Sequence, residues 1–250
     1  MQSLVKYCKK IHNLKLGSPT IQLGSLNYYR DLDPNFSIAD QTEGHESTFI
    51  GNFDSRAAKE DVKTHLRNVF QGNGHIIMEN CVSEVHFPNS LIYCVSFDAG
   101  TNNYLEEARK FDHSYDSYYL IGNIDAFAHK LALIVLENFK VSWFDENCST
   151  QFEQFSVADY KEIGLQLDHK KITYVPKKHE IIVDSKLTQR PENLNQLDRI
   201  VFTKEEKFLG DLEYRLLYTF VHPRYGVIPV RKEPVILPIS PILRELQGGG

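Results

Sequence analysis

Gly210-Asp211-Leu212-Glu213-Tyr214-Arg215-Leu216-Leu217-Tyr218 reads as a buried β-strand that carries two acids where an ordinary core strand has few charges. Side chains alternate across a strand. The spacing therefore predicts Leu212, Tyr214, Leu216 and Tyr218 on one face, and Asp211, Glu213 and Arg215 on the other. Two carboxylates followed by a cation on one face suit a cleft for sugar chemistry, where a carboxylate holds a hydroxyl and stabilises positive charge. The same pattern also fits an edge strand with a solvated, salt-bridged face. On this segment alone both readings stand.

Outward from this strand, the chain breaks into many short strand patterns and few helices. Leu4 to Lys9, Thr20 to Leu23, Ser47 to Phe53, His75 to Val85, Leu91 to Phe97 and Ser117 to Ile121 read as strands. So do Phe139 to Phe144, Lys171 to Val175, Glu180 to Val183, Glu213 to Val221, Gly226 to Val230 and Val235 to Leu237. The clearest helix is Ile124 to Asn138, which Asn123 caps and which is apolar almost all round over Leu131 to Leu136. Ala57 to Phe70, Asn103 to Lys110 and Asn193 to Ile200 are further helix candidates, and Ser25 to Arg30 is a helical turn or a bend. Strands and helices do not alternate regularly, so the expected class is α+β rather than a doubly wound parallel sheet. One domain over 1–246 is expected, with an insertion near 176–195, the most polar long stretch. Residues 247–250 read as an added linker or a flexible tail.

Composition narrows the function classes. A net charge of −5 gives no general reason for nucleic-acid binding. No apolar run approaches the ~18 residues of a membrane span. The opening residues lack a signal pattern, which leads to an expectation of a reducing cytoplasm and free thiols. Cys8, Cys81, Cys94 and Cys148 are widely spaced, and no histidine pair has ligand spacing, so no metal is expected. Gly72-Asn73-Gly74 lacks the Lys and Ser/Thr of a phosphate loop and reads as a turn.

Three other segments carry candidate chemistry. In Leu23-Gly24-Ser25-Leu26-Asn27-Tyr28-Tyr29-Arg30, Gly24 permits close backbone approach, Tyr28 and Tyr29 offer flat surfaces, and Arg30 offers a planar fork for a phosphate or a structural carboxylate. In Ile38-Ala39-Asp40-Gln41-Thr42-Glu43-Gly44 the acids cap a helix or hold the loop. In Leu91-Ile92-Tyr93-Cys94-Val95-Ser96-Phe97, Ser96 ends an apolar strand. It can bond a ligand, orient a glutamate or satisfy a turn.

Taken in chain order, these segments resemble the ADP-ribosyltransferase superfamily, in particular its divergent bacterial branches from toxin and antiphage systems. The order Arg30, Ser96, Glu213 is that of the class with an arginine, a serine on a central strand and a final acidic pair. The Ser-Thr-Ser triplet of that class is absent, and Asp211 stands where Glu or Gln is usual. The resemblance implies a split mixed sheet with NAD, as substrate, in its cleft. It implies that Arg30 grips the dinucleotide phosphates, Ser96 supports the site, and Tyr28 or Tyr29 packs on the nicotinamide or its ribose. Gly24 lets the chain pass close by. Glu213 is implied as the catalytic glutamate, and Asp211 orients the acceptor. The implied activity is transfer of ADP-ribose to a protein or nucleic acid by a cytoplasmic toxin or defence effector, with an antitoxin or regulatory protein as a further partner. An NAD glycohydrolase, and a non-catalytic binding or sensor module, use the same fold.

Overall fold

In the computed structural model the described residues are 3–32, 39–58, 75–98, 100, 103–146, 155–175, 179–183, 186–189, 200–239 and 246–247. Along them run β1 (Leu4–Cys8), β2 (Thr20–Ser25), α1 (Leu26–Arg30), β3 (His45–Asp54), β4 (Ile77–His86), β5 (Leu91–Phe97), α2 (Tyr104–Phe111), β6 (Ser117–Ile121) and α3 (Ile124–Asn138). Then come α4 (Val157–Lys161), β7 (Gly164–Lys171), β8 (Thr173–Val175), β9 (His179–Val183), β10 (Lys186–Gln189) and β11 (Thr203–Glu205). The last are β12 (Glu213–His222), β13 (Gly226–Ile228), β14 (Val235–Pro238) and β15 (Leu246–Gln247). The class is mixed α+β, with mostly antiparallel sheets and few helices.

The chain divides into two compact units where the sequence suggested a single domain with an insertion near 176–195. The first comprises 1–43, 88–172 and 210–250; the second comprises 44–87 and 173–209. Residues 176–178, 184–185 and 190–195 of the expected insertion lie outside the described residues.

The first unit is organised on β5. Along one edge, β5 pairs with β12 from Leu91↔Tyr218 to Ser96↔Glu213. Its other edge is shared: β2 takes Leu91 and Ile92, and β1 takes Ser96 and Phe97. β1 and β2 therefore part at the middle of β5. β1 goes on to pair with β6, and β2 with β14, so the two diverging arms are each held by a strand of their own. Beyond β12 lies β7, paired over eight positions.

One sheet face is covered by α3. Asn123 accepts a hydrogen bond from the Ala126 amide at 3.0 Å and so caps the helix, as its sequence predicts. Phe127, Leu131, Ile134 and Val135 are buried there with Tyr93, Tyr119, Leu216, Tyr218 and Phe220. Each such side chain contributes about 1.5–3 kcal/mol of burial. On the opposite face Val5, Tyr7 and Ala108 form a smaller cluster with Phe111 and Tyr115.

The second unit has a four-stranded sheet in the order β10-β9-β3-β4, where β3 and β9 run parallel, and a parallel pair β8–β11. Ile50, Phe53 and Ala58 form its own core cluster.

Several sequence expectations are corrected. Phe139 to Phe144 is not a strand: Val141–Trp143 is a 3-10 turn, and Phe144 alone bridges to Val230. β7 was not anticipated, because Leu165 and Leu167 are its only apolar alternation before the charges of Asp168, Lys170 and Lys171. A strand that pairs on one side among the described residues tolerates those charges. Gln247 pairs with Leu120 rather than belonging to a tail. The helix candidates Ala57 to Phe70 and Asn193 to Ile200 fall mostly outside the described residues, and Ala57 itself lies in a turn.

Candidate functional site

The opening strand is buried as its pattern predicts, and of the two readings of its charged face the solvated one is not built. Glu213 is 4% exposed and Arg215 0%. β12 starts at Glu213, whereas Asp211 closes a 3-10 turn over Glu206–Asp211. Between them Leu212 takes φ +46°, a left-handed backbone that breaks the strand alternation. Asp211 therefore does not share the strand face of Glu213, and the expected acidic pair is not built as such.

Arg215 is the hub of this face. Its Nη1 and Nη2 donate to Glu43 Oε1 and Oε2 at 2.6 and 2.9 Å, a two-pronged grip. Its Nε donates to Glu213 Oε1 at 2.9 Å. Burial alone would lower the arginine pKa, but Glu213 and Glu43 overcome it and hold the guanidinium charged. Arg215 therefore partners two acids, one beside it on β12 and one distant in the chain. Glu43 belongs to the 38–44 loop, whose acids read as capping a helix or holding the loop. In the same loop Asp40 is 1% exposed: its Oδ1 accepts from the Thr42 amide and hydroxyl, and its Oδ2 makes no hydrogen bond among the described residues.

Ser96 lies opposite Glu213 in the β5–β12 ladder, so these two expected site residues are neighbours on one face. Gly24 and Tyr29 are also brought together. A methyl group at Gly24 would sit 2.4 Å from the Tyr29 ring, so only glycine admits the ring there. Ser25 caps α1 by accepting from the Tyr28 amide at 3.1 Å, and its hydroxyl donates to the Lys232 carbonyl. This fixes the helical turn that presents Tyr28 and Tyr29, whose rings meet edge to face. Arg30 is turned elsewhere. Its Nη2 donates to Asn27 Oδ1 at 2.6 Å, and its Nε lies 3.6 Å from Asp31.

Where β1 and β2 part there is a cavity of about 390 Å³. Tyr28, Tyr29, Tyr93, Tyr115 and Tyr119 line it, with Lys6 from β1. Tyr7 and Cys8 both line it although they point to opposite sheet faces, so the cavity lies in the split itself. Tyr93 and Tyr119 are joined through their hydroxyls. Arg30, Ser96 and Glu213 are not among the lining residues. The Glu213 charge nevertheless acts on two that are, Lys6 and Tyr29. Burial raises the Tyr29 hydroxyl well above the usual phenol value, and Cys94, Tyr115 and Glu213 add to the shift. Among the described residues no group of three or more His, Cys, Asp or Glu side chains could hold a metal ion. None of their helices is long and apolar enough to cross a membrane.

Lys6 escaped the sequence reading, although a lone charge in Leu4-Val5-Lys6-Tyr7-Cys8 was a visible signal. Residues 92, 94 and 96 turn their backbone groups towards the divided edge of β5, since the Phe97 amide donates to the Leu212 carbonyl on the β12 side. Ile92 meets β2 and Ser96 meets β1, which leaves Cys94 at the fork. Lys6 Nζ donates to the Cys94 carbonyl at 2.8 Å and lies 4.8 Å from the centre of the Tyr93 ring. No protein-family model matches the chain, and neither the curated proteins nor the solved structures give a match.

Proposed function

We propose that this chain binds NAD in the cavity at the β1–β2 fork and cleaves its nicotinamide–ribose bond, transferring ADP-ribose to a macromolecule. The observation that carries this reading is the tyrosine-lined cavity in the split of the sheet, beside the paired Ser96 and Glu213. Its volume lies in the range of small-molecule sites, about 300–1,000 Å³. Six tyrosines line it and supply faces for a flat ring. In this reading Glu213 accepts a hydrogen bond from the ribose 2′-hydroxyl and stabilises the positive charge that develops as nicotinamide leaves. Arg215 and Glu43 hold that carboxylate in one orientation. Tyr29, set by Gly24, packs against the nicotinamide riboside.

The test is incubation of adenine-labelled NAD with the protein and a total cell lysate, for the wild type and Glu213→Gln. Transfer puts label on protein or nucleic acid in the wild type. The variant is expected to lose about a hundredfold or more in turnover, the usual effect of removing one preorganised electrostatic contact. Undiminished NAD consumption by folded Glu213→Gln refutes the assignment. Label found only in free ADP-ribose identifies a glycohydrolase. A specific observation favours the third reading, a non-catalytic binding or sensor module: Glu213 is buried and already paired with Arg215. NAD bound without turnover decides for it.

A further inference from the structure

The cavity needs a cation if its ligand carries phosphate, and the fork supplies one. Lys6 projects from β1 into the gap where β5 has lost one strand neighbour and not yet met the next. Its ammonium has three donors, and the Cys94 carbonyl takes one of them at 2.8 Å. The group is half-buried and lines the cavity, with the Tyr93 ring beneath it. An ammonium held by a carbonyl and an aromatic face is positioned before any ligand arrives. Arg30 has the opposite surroundings. Its guanidinium is engaged by Asn27 and Asp31 and does not line the cavity.

We propose that Lys6, not Arg30, is the cation that receives a phosphate of the bound nucleotide at the β1–β2 fork. This rests on the NAD reading of the cavity and changes which residue holds the phosphates. Burial pulls the Lys6 pKa below the usual lysine value, while Cys94, Cys8 and Glu213 oppose that shift. The Glu213 carboxylate thus helps keep the ammonium charged for an anion. A phosphate on Lys6 places the ligand across the fork, with the Tyr28–Tyr29 turn on the same cavity wall system.

The experiment uses two probes, ADP-ribose and nicotinamide riboside, the second of which has no phosphate. Binding is measured by titration calorimetry for the wild type, Lys6→Met and Arg30→Met. Lys6→Met is expected to weaken ADP-ribose by about tenfold to a hundredfold, as for loss of one charged hydrogen bond, and to leave nicotinamide riboside within about twofold. Arg30→Met is expected to bind ADP-ribose within about twofold of the wild type. If Lys6→Met binds ADP-ribose like the wild type, or Arg30→Met loses as much, the assignment to Lys6 fails while the NAD reading stands. If wild-type protein binds neither probe, both fail. Because Lys6→Met also removes the Cys94 contact, wild-type lysines are acetylated in parallel and mapped by mass spectrometry. ADP-ribose should protect Lys6 and nicotinamide riboside should not. An unprotected Lys6 in ADP-ribose-bound protein overturns the proposal without any variant.

Discussion

Arg215→Met tests whether the buried charges on β12 hold the first unit together. The substitution keeps an unbranched apolar stem but removes every donor of a guanidinium that is 0% exposed. The charged contacts of the guanidinium with Glu43 and Glu213 disappear. The two carboxylates are left buried without the cation between them. Removing one partner of a buried ion pair costs about 3–5 kcal/mol, because the remaining charge is uncompensated. Against a typical total of about 5–15 kcal/mol, this takes a large share of the stability. The chain has a single tryptophan, Trp143, buried in the first unit, so its fluorescence during denaturant unfolding reports on that unit. The pH dependence gives the sign. In the variant, folding would raise the Glu43 and Glu213 carboxyl pKa values above their unfolded value of about 4.3. A raised folded pKa gives stability that is present below the unfolded pKa and lost as pH rises. The deficit of Arg215→Met against the wild type should therefore be largest at neutral pH and shrink towards pH ~4. A variant within about 1 kcal/mol of the wild type, with a deficit independent of pH, refutes the reasoning.

Gly24→Ala places a methyl 2.4 Å from the Tyr29 ring, an overlap expected to cost about 1–3 kcal/mol and to weaken nucleotide binding. Adding Tyr29→Leu should recover the stability but not the binding, and a double-mutant cycle of melts and titrations measures the coupling. Leu212→Ile keeps size and hydropathy but puts a β-branched residue at φ +46°, so unfolding should need about 1–2 kcal/mol less. An unchanged denaturant midpoint counts against that backbone. Burial, then Glu107, pushes Tyr7 up to about 12, and burial, then Asp112, does the same for Tyr115. Their neutral forms stabilise the fold below the unfolded value of about 10, and that contribution is lost as pH rises through about 12. Trp143 fluorescence should thus report loss of the first unit between those values, together with phenol ionisation in the tyrosine absorbance.

What could be read from the sequence follows how locally each feature is determined. The Asn123 cap and the α3 periodicity are contained in sixteen consecutive residues, and the helix has the bounds its sequence predicts. The core strands β5 and β12 declared themselves by apolar runs. β7 did not, because a strand with one partner among the described residues needs few apolar positions and carries charge freely. The acidic pair failed at one residue: a left-handed Leu212 is invisible to a rule that assumes alternation, and it moves Asp211 out of the strand. Burial of the charges was harder still, since Glu43 meets Arg215 across 172 positions of chain. No local window holds that information, and the charge-rich face reads as solvated until the partner is in place. Lys6 is the converse case. Its signal was local, one lysine inside an apolar strand, but its meaning was not. Only the parting of β1 from β2 leaves the Cys94 carbonyl for it to satisfy. A charge in a core strand is a question about topology, and the answer lies with whichever strand edge the fold leaves open.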